Sequence, residues 1–263
     1  MVYLLYVLVS GVGGLLVGVI GTGSSLVVLP SLVLIFGSVL PGVDTLRLAA
    51  GTTMATIAAG AIAGGLSQYR AGHVDLQLFR LMLLPYVIGS LAGPWISRLL
   101  AVQVLETYLA VIIGLVALRM LVMNRREITS SRDYHHHRVE LGFVLLLVAI
   151  CSSVAGVASG IFAIPYLTRF SLPMRTVIGT STAAAGVYAT LGAIGYVSAG
   201  WSATGLPDGA FGYVYLPAFA ILAVTAAIFT PVGVKLARHV NERVLKRLFA
   251  LFLIVAALAI VLL

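Results

Sequence analysis

Two short stretches carry most of the polar chemistry that this chain sets inside apolar sequence. They are "GTGSSLVVLP", Gly21 to Pro30, and "GVASGIFAIP", Gly156 to Pro165. Both read G-x-x-S-x-x-x-x-x-P, with Gly21 matching Gly156, Ser24 matching Ser159 and Pro30 matching Pro165. Glycines break a helix and expose backbone N–H groups, and the serines that follow open a new one. A helix start offers free N–H donors and the positive end of the macrodipole, and serine hydroxyls add neutral donors. That combination binds an anion without a buried cation. The candidate ligands are Gly21, Gly23, Ser24 and Ser25 in the first copy and Gly156, Ser159 and Gly160 in the second. Further on, "RLAAGTT" (Arg47 to Thr53) matches "RTVIGTS" (Arg175 to Ser181) and adds the hydroxyls of Thr52, Thr53, Thr180 and Ser181. Arg47 and Arg175 are candidate anion-attracting residues, against a competing role as interfacial snorkelling side chains.

Small residues also let transmembrane helices approach closely, which is the plain packing reading of the same glycines and serines. A break repeated at matching places favours a substrate site, as in transporters built from broken helices. Two inverted copies would bring two such sites together near the bilayer midplane.

Other chemistries find little support. His135, His136 and His137 form a run without a cysteine partner or metal-site spacing, so no metal and no cofactor is expected. A serine nucleophile needs a base, yet all the histidines, the other two being His73 and His239, lie in or beside loops, so no enzyme is expected. Asp44, Asp75, Glu106, Glu140, Asp208 and Glu242 sit at segment ends, and Glu127 and Asp133 lie in a polar stretch. With no carboxylate deep in an apolar run, proton or sodium coupling is left open. The one cysteine, Cys151, excludes an intramolecular disulfide.

The elements that must position these groups are membrane helices. Of 263 residues, 61% are hydrophobic and 9% charged, and the mean hydropathy is +1.13. A soluble domain carries about 25% charged residues. The partner is therefore a lipid bilayer, expected to be the cytoplasmic membrane of a prokaryote. The first twenty residues lack a basic start and read as a mature helix. The net charge of +8 comes from basic residues at the ends of apolar runs, which marks a cytoplasmic face and not a nucleic-acid partner.

Apolar segments fall near 3–20, 24–37, 46–68, 77–98 and 104–123, then near 140–155, 159–170, 174–198, 211–236 and 243–263. The chain divides into a first repeat, 1–123, a polar cytoplasmic linker, 124–139, and a second repeat, 140–263. Gly72 matches Gly200, and Pro94 matches Pro231. If the chain turns back at the glycines, the halves are inverted, and the linker, the Arg169/Arg175 loop and the Lys235–Arg247 cluster share one face. The fold class expected is all-α and polytopic, two inverted repeats with broken or re-entrant helices and about 8–10 membrane segments. Re-entrant hairpins and short tilted crossings both fit the segment lengths. The oligomeric state is not encoded in any of these features.

The two signatures resemble the paired G-x-G-G-G-x-x-x-x-P motifs of the TauE/SafE family, the sulfite exporter or toluene-sulfonate uptake permeases. "AAGTT" and "VIGTS" are similar to that family's second hallmark, a small residue before Thr-Ser at a helix start. The first copy departs with Ser24-Ser25 for Gly-Gly, and the second with Ala158 for Gly. The resemblance covers the whole chain and implies secondary transport of a small sulfur-containing anion such as sulfite, thiosulfate, a sulfonate or an organosulfur acid. The residues alone argue for a small anion, with a passive anion channel as the alternative.

Overall fold

A computed structural model of the chain describes residues 2–20, 24–40, 42–122 and 133–236. Nine α-helices are described: α1 (Val2–Ile20), α2 (Ser24–Val39), α3 (Thr45–Arg70), α4 (Leu76–Leu99), α5 (Val102–Val122), α6 (Arg138–Val154), α7 (Gly160–Leu167), α8 (Met174–Gly200) and α9 (Leu216–Leu236). A 3-10 turn, Tyr134–His137, leads into α6. Among the described residues, five helices are long and apolar enough to cross a membrane: α3, α4, α6 with its leading turn, α8 and α9. The chain is an all-α polytopic membrane protein. The apolar segment expected at 243–263 lies outside the described residues.

The helix starts have local causes. The Asp44 carboxylate accepts the Arg47 N–H at the head of α3, and Asp75 accepts from Gln77 and Leu78 at the head of α4. One segment departs from its expected span. Helix α9 begins at Leu216, because Ala210–Phe211 and Val214–Tyr215 pair as a short hairpin, β1 and β2. Gly212 turns it at φ +55°, where a Cβ would lie 2.2 Å from the Val197 carbonyl oxygen. Only glycine fits both demands.

Helix directions follow from the residues in contact. Helices α3 and α8 run antiparallel, for Gly65 lies on Ala183 while Gly192 lies on Met54. Helices α1 and α9 run parallel, with Ser10 donating to the Leu222 carbonyl (2.6 Å) and Gly18 pressed on the Thr230–Val234 backbone. Helices α6 and α4 are likewise parallel, with Ala149 on Gly89 and Ser153 on Gly93. Exchanging the halves maps these contacts onto one another: α1 on α9 becomes α6 on α4, α3 on α9 becomes α8 on α4, and α3 on α8 maps to itself. The contacts pair Gly93 with Gly233, since each meets its parallel partner at Ser153 and Gly18. This register shifts the α4–α9 match by three residues from the Pro94–Pro231 alignment.

Helices α6 and α7 form an antiparallel hairpin. The Tyr166 hydroxyl donates to Glu140 (3.2 Å), and the His137 and Phe170 rings lie 6.2 Å apart. Residues 155–159 are its tip. Helix α7 has eight residues, about 12 Å of rise, well short of the ~30 Å hydrocarbon core. Helices α1 and α2 fold back similarly, with Gly13 against Ser24 and Val28. Loops 71–75, 133–137 and 168–173 gather at one end of the bundle, where the Tyr134 hydroxyl donates to Asp75 (3.1 Å). The start of α3, the end of α4 and the β1–β2 hairpin gather at the other end, where Arg98 donates to Ser202 (3.0 Å).

Candidate functional site

Ser24 opens α2, as the sequence leads one to expect, and Ser159 stands at the N-cap position of α7, its side chain making no capping bond, with Gly160 as the helix's first residue. The Ser25 hydroxyl accepts the Ala158 N–H at 3.0 Å across 133 residues of chain, so the two breaks touch. Gly21 and Gly23 lie outside the described residues. Gly156 has φ +70°, and a Cβ there would fall 2.4 Å from the Ala50 Cβ on α3. The tip of the α6–α7 hairpin can press on α3 only through a glycine.

A broken helix leaves carbonyls unpaired, and two buried tyrosines of α8 answer them. The Tyr196 hydroxyl donates to the carbonyls of Ser153 (2.9 Å) and Val154 (3.0 Å), and Tyr188 donates to that of Val157 (3.0 Å). On the other side of the break, the N–H groups of Ser159 and Gly160 meet no acceptor among the described residues. Unpaired donors at a helix start inside an apolar bundle are costly unless a ligand or water takes them.

A small cavity of about 20 Å³ lies beside the middle of α3, between the breaks. Ser24, Thr56, Gly60, Gly160, Thr182 and Thr230 line it, and none of the lining residues is ionisable. Thr56 and Thr182 donate to carbonyls four residues back, at 2.9 and 2.8 Å. The Thr230 hydroxyl is buried and has no partner among the described residues. The site thus offers neutral donors: Ser24, Thr230 and the N–H groups at the head of α7. Its volume suits one water, so a larger anion enters only when the helices part. The sequence reading had not singled out Thr56, Thr182 or Thr230. Thr230 carried the best signal, a hydroxyl directly before the intrahelical Pro231.

The Gly-Thr motifs are arranged differently. The Thr52 hydroxyl accepts the Tyr215 N–H (3.0 Å) at the head of α9 and donates to the Leu48 carbonyl (2.7 Å). The Thr180 hydroxyl accepts the Asp75 N–H (2.9 Å) at the head of α4. Each threonine staples the start of a helix in the opposite half. The preceding glycines make this approach workable. A Cβ on Gly51 would sit 2.1 Å from the Tyr213 carbonyl oxygen, and one on Gly179 would sit 2.3 Å from that of His73. The neighbouring Thr53 and Ser181 hydroxyls are buried without partners among the described residues. Arg47 is buried and spent on structure. It pairs with Asp44, and it donates to the Ser97 carbonyl (3.0 and 2.9 Å) and to that of Leu100. Its charge therefore sits on the negative end of α4. Arg175 is exposed.

The two breaks thus touch beside a small cavity whose mostly apolar lining carries the hydroxyls of Ser24, Thr56, Thr182 and Thr230 and no charge. The family model for "Sulfite exporter TauE/SafE" matches residues 6–260. The chain belongs to that family of membrane transporters. It is 29% identical to a "Probable membrane transporter protein" of Haemophilus influenzae over 97% of this chain and 96% of that one. It is 26% identical to a protein of the same description from Xylella fastidiosa, over 71% of each chain. No solved structure matches the chain.

Proposed function

We propose that this protein is a secondary transporter of a small sulfur-containing oxyanion, held between the two breaks by hydroxyl and backbone N–H donors. The observation that carries the reading is the Ser25–Ala158 hydrogen bond, which joins the breaks beside a cavity lined by hydroxyls and by no charge. Neutral donors suit an anion that must both bind and leave. A buried cation would hold it too firmly or demand a counter-charge. Ser24, Ser159, Gly160 and Thr230 are the principal ligands in this reading, with Thr53 and Ser181 behind them. Sulfite, thiosulfate, a sulfonate or an organosulfur acid is the substrate class that family membership supports.

The antiparallel packing of α3 on α8, helices that correspond under exchange of the halves, supports inverted repeats. So does the grouping of loops 71–75, 133–137 and 168–173 at one end. With the linker cytoplasmic, basic residues Arg138, Arg169 and Arg175 share the inner face. Membership of a membrane transporter family supports reading the protein as a carrier and not as an enzyme.

The test is flux through purified protein in sealed vesicles. A carrier gives saturable sulfite uptake with counterflow, and an uncharged sulfone neither competes nor enters. Equal competition by the sulfone refutes the anion reading. Unitary currents far above carrier rates favour a channel instead.

A further inference from the structure

Exchange of the halves assigns every residue of the cavity a counterpart, and the counterparts are not alike. Thr52 and Thr180 stand 128 residues apart, and so do Gly60 and Tyr188. Asp75 and Tyr215 stand 140 residues apart, and so do Tyr86 and Ala226. Where α3 meets α9, Gly60 faces Ala226, with 3.4 Å from a Cβ on Gly60 to the Ala226 Cβ, and the cavity lies beside them. Where α8 meets α4, the related contact, the same two places hold Tyr188 and Tyr86, whose rings lie 5.4 Å apart and are wholly buried. Two small residues leave a void, and two tyrosines fill its twin.

The filled twin is not settled internally. The Tyr86 hydroxyl is buried and faces Ser159, yet neither hydroxyl closes a hydrogen bond with any described residue. Ser159 is the counterpart of Ser24, which lines the open cavity. Beside Ser159 lie its own unpaired N–H and that of Gly160. Buried polar groups are rarely left unpaired, and several together point to a partner that arrives in another state of the protein. The cluster adds the Tyr86 and Ser159 hydroxyls to the two amides at the head of α7, which it shares with the open cavity, and it has no cation. An oxyanion with several acceptor oxygens matches it.

We propose that Tyr86 and Tyr188 close a second anion subsite, the twin of the Ser24 cavity, and that the Tyr86 and Ser159 hydroxyls bind the oxyanion when the two rings part. This rests on the carrier reading above. It adds a gate and names its residues. In the described state the Ser24 side is open to a water and the Ser159 side is filled. Parting the tyrosines while the Gly60–Ala226 side closes gives the reverse state, with one solute passed between two half-sites.

Two measurements on the full-length protein test it. In the first, Tyr86→Phe keeps the ring and the packing but removes the hydroxyl. Sulfite uptake by this variant in vesicles should show KM raised roughly ten- to a hundredfold, the loss expected for one hydrogen bond to a charged ligand. Its thermal unfolding should match the parent. A parental KM overturns the ligand role and with it the proposal. In the second, Ser159→Cys on a Cys151→Ala background is treated with a membrane-impermeant maleimide. Replacing Tyr86 by Ala and Tyr188 by Gly, the residues of the twin, should speed labelling at least tenfold and make sulfite flux leak without counterflow. Labelling no faster than in the tyrosine-bearing parent overturns the gate. Should the parent carry none of sulfite, thiosulfate, a sulfonate or an organosulfur acid, the carrier reading fails by itself, and the labelling rates still decide the gate.

Discussion

Replacing Thr52 by valine separates two roles that its hydroxyl could play. Valine keeps the branched shape and removes only the hydroxyl. The Tyr215 N–H then loses its 3.0 Å acceptor at the half-buried head of α9, and the Leu48 carbonyl loses a donor but keeps its place in the helix. Leaving a buried donor unsatisfied costs about 1–3 kcal/mol. In a chain of this size each kcal/mol moves the midpoint by about 2–4 °C, so the variant should melt roughly 2–12 °C lower. Thr180→Val should do the same through the Asp75 N–H, 2.9 Å from its hydroxyl. The two losses should add, because the staples stand at opposite ends of the antiparallel α3–α8 pair. Thr52→Ser, which keeps the hydroxyl, should recover most of the stability. Fluorescence-detected unfolding in detergent reads the first effect, and sulfite uptake in vesicles reads the second, where KM should stay within about twofold of the parent. A tenfold rise in KM with an unchanged melting point would refute the staple and return both threonines to the substrate site.

Three further outcomes follow from the same geometry. Ser24→Ala should raise the KM for sulfite roughly tenfold or more while leaving the melting point within a degree or two, since the hydroxyl faces the cavity and not a structural partner; unchanged uptake would remove it from the site. Gly51→Ala and Gly179→Ala should abolish accumulation of folded protein, as their methyl groups meet carbonyl oxygens at 2.1 and 2.3 Å, whereas Gly37→Ala and Gly142→Ala meet nothing within 4 Å and should gain up to about 1 kcal/mol in stability. Arg47→Gln should lower the melting point by uncapping the Ser97 and Leu100 carbonyls and should leave sulfite KM unmoved, and a selective KM defect would instead place its charge in the anion pathway.

The breaks were legible because they need rare residues. A glycine, a hydroxyl and a proline recurring in order inside apolar sequence have few other uses, and helix bounds followed within a few residues. What a residue is paired with was not legible. Thr52 and Thr180 stood out by type, but their partners lie 163 and 105 residues away on helices of the other half. Arg47 read as an anion-attracting or interfacial snorkelling cation because its carbonyl partners belong to the end of α4, 50 and 53 residues on. Tyr86 and Tyr188 were invisible for the opposite reason, since an aromatic inside an apolar run reads as core until its hydroxyl is found unpaired. Aligning Pro94 with Pro231 matched residues that bend helices, whereas the packing follows the glycines, which set how closely helices approach.

The staples also set the order in which this chain can be finished. Asp75 leaves the ribosome 105 residues ahead of the threonine that accepts its amide. At a synthesis rate of about 5–20 residues per second, the head of α4 waits roughly 5–20 seconds at the end of the bundle before that acceptor is made. The first half is therefore a provisional guest in the membrane. Its packing is completed only when α8 lies alongside α3, and a stall or truncation between residues 76 and 180 leaves a fragment without the threonine that accepts the Asp75 amide.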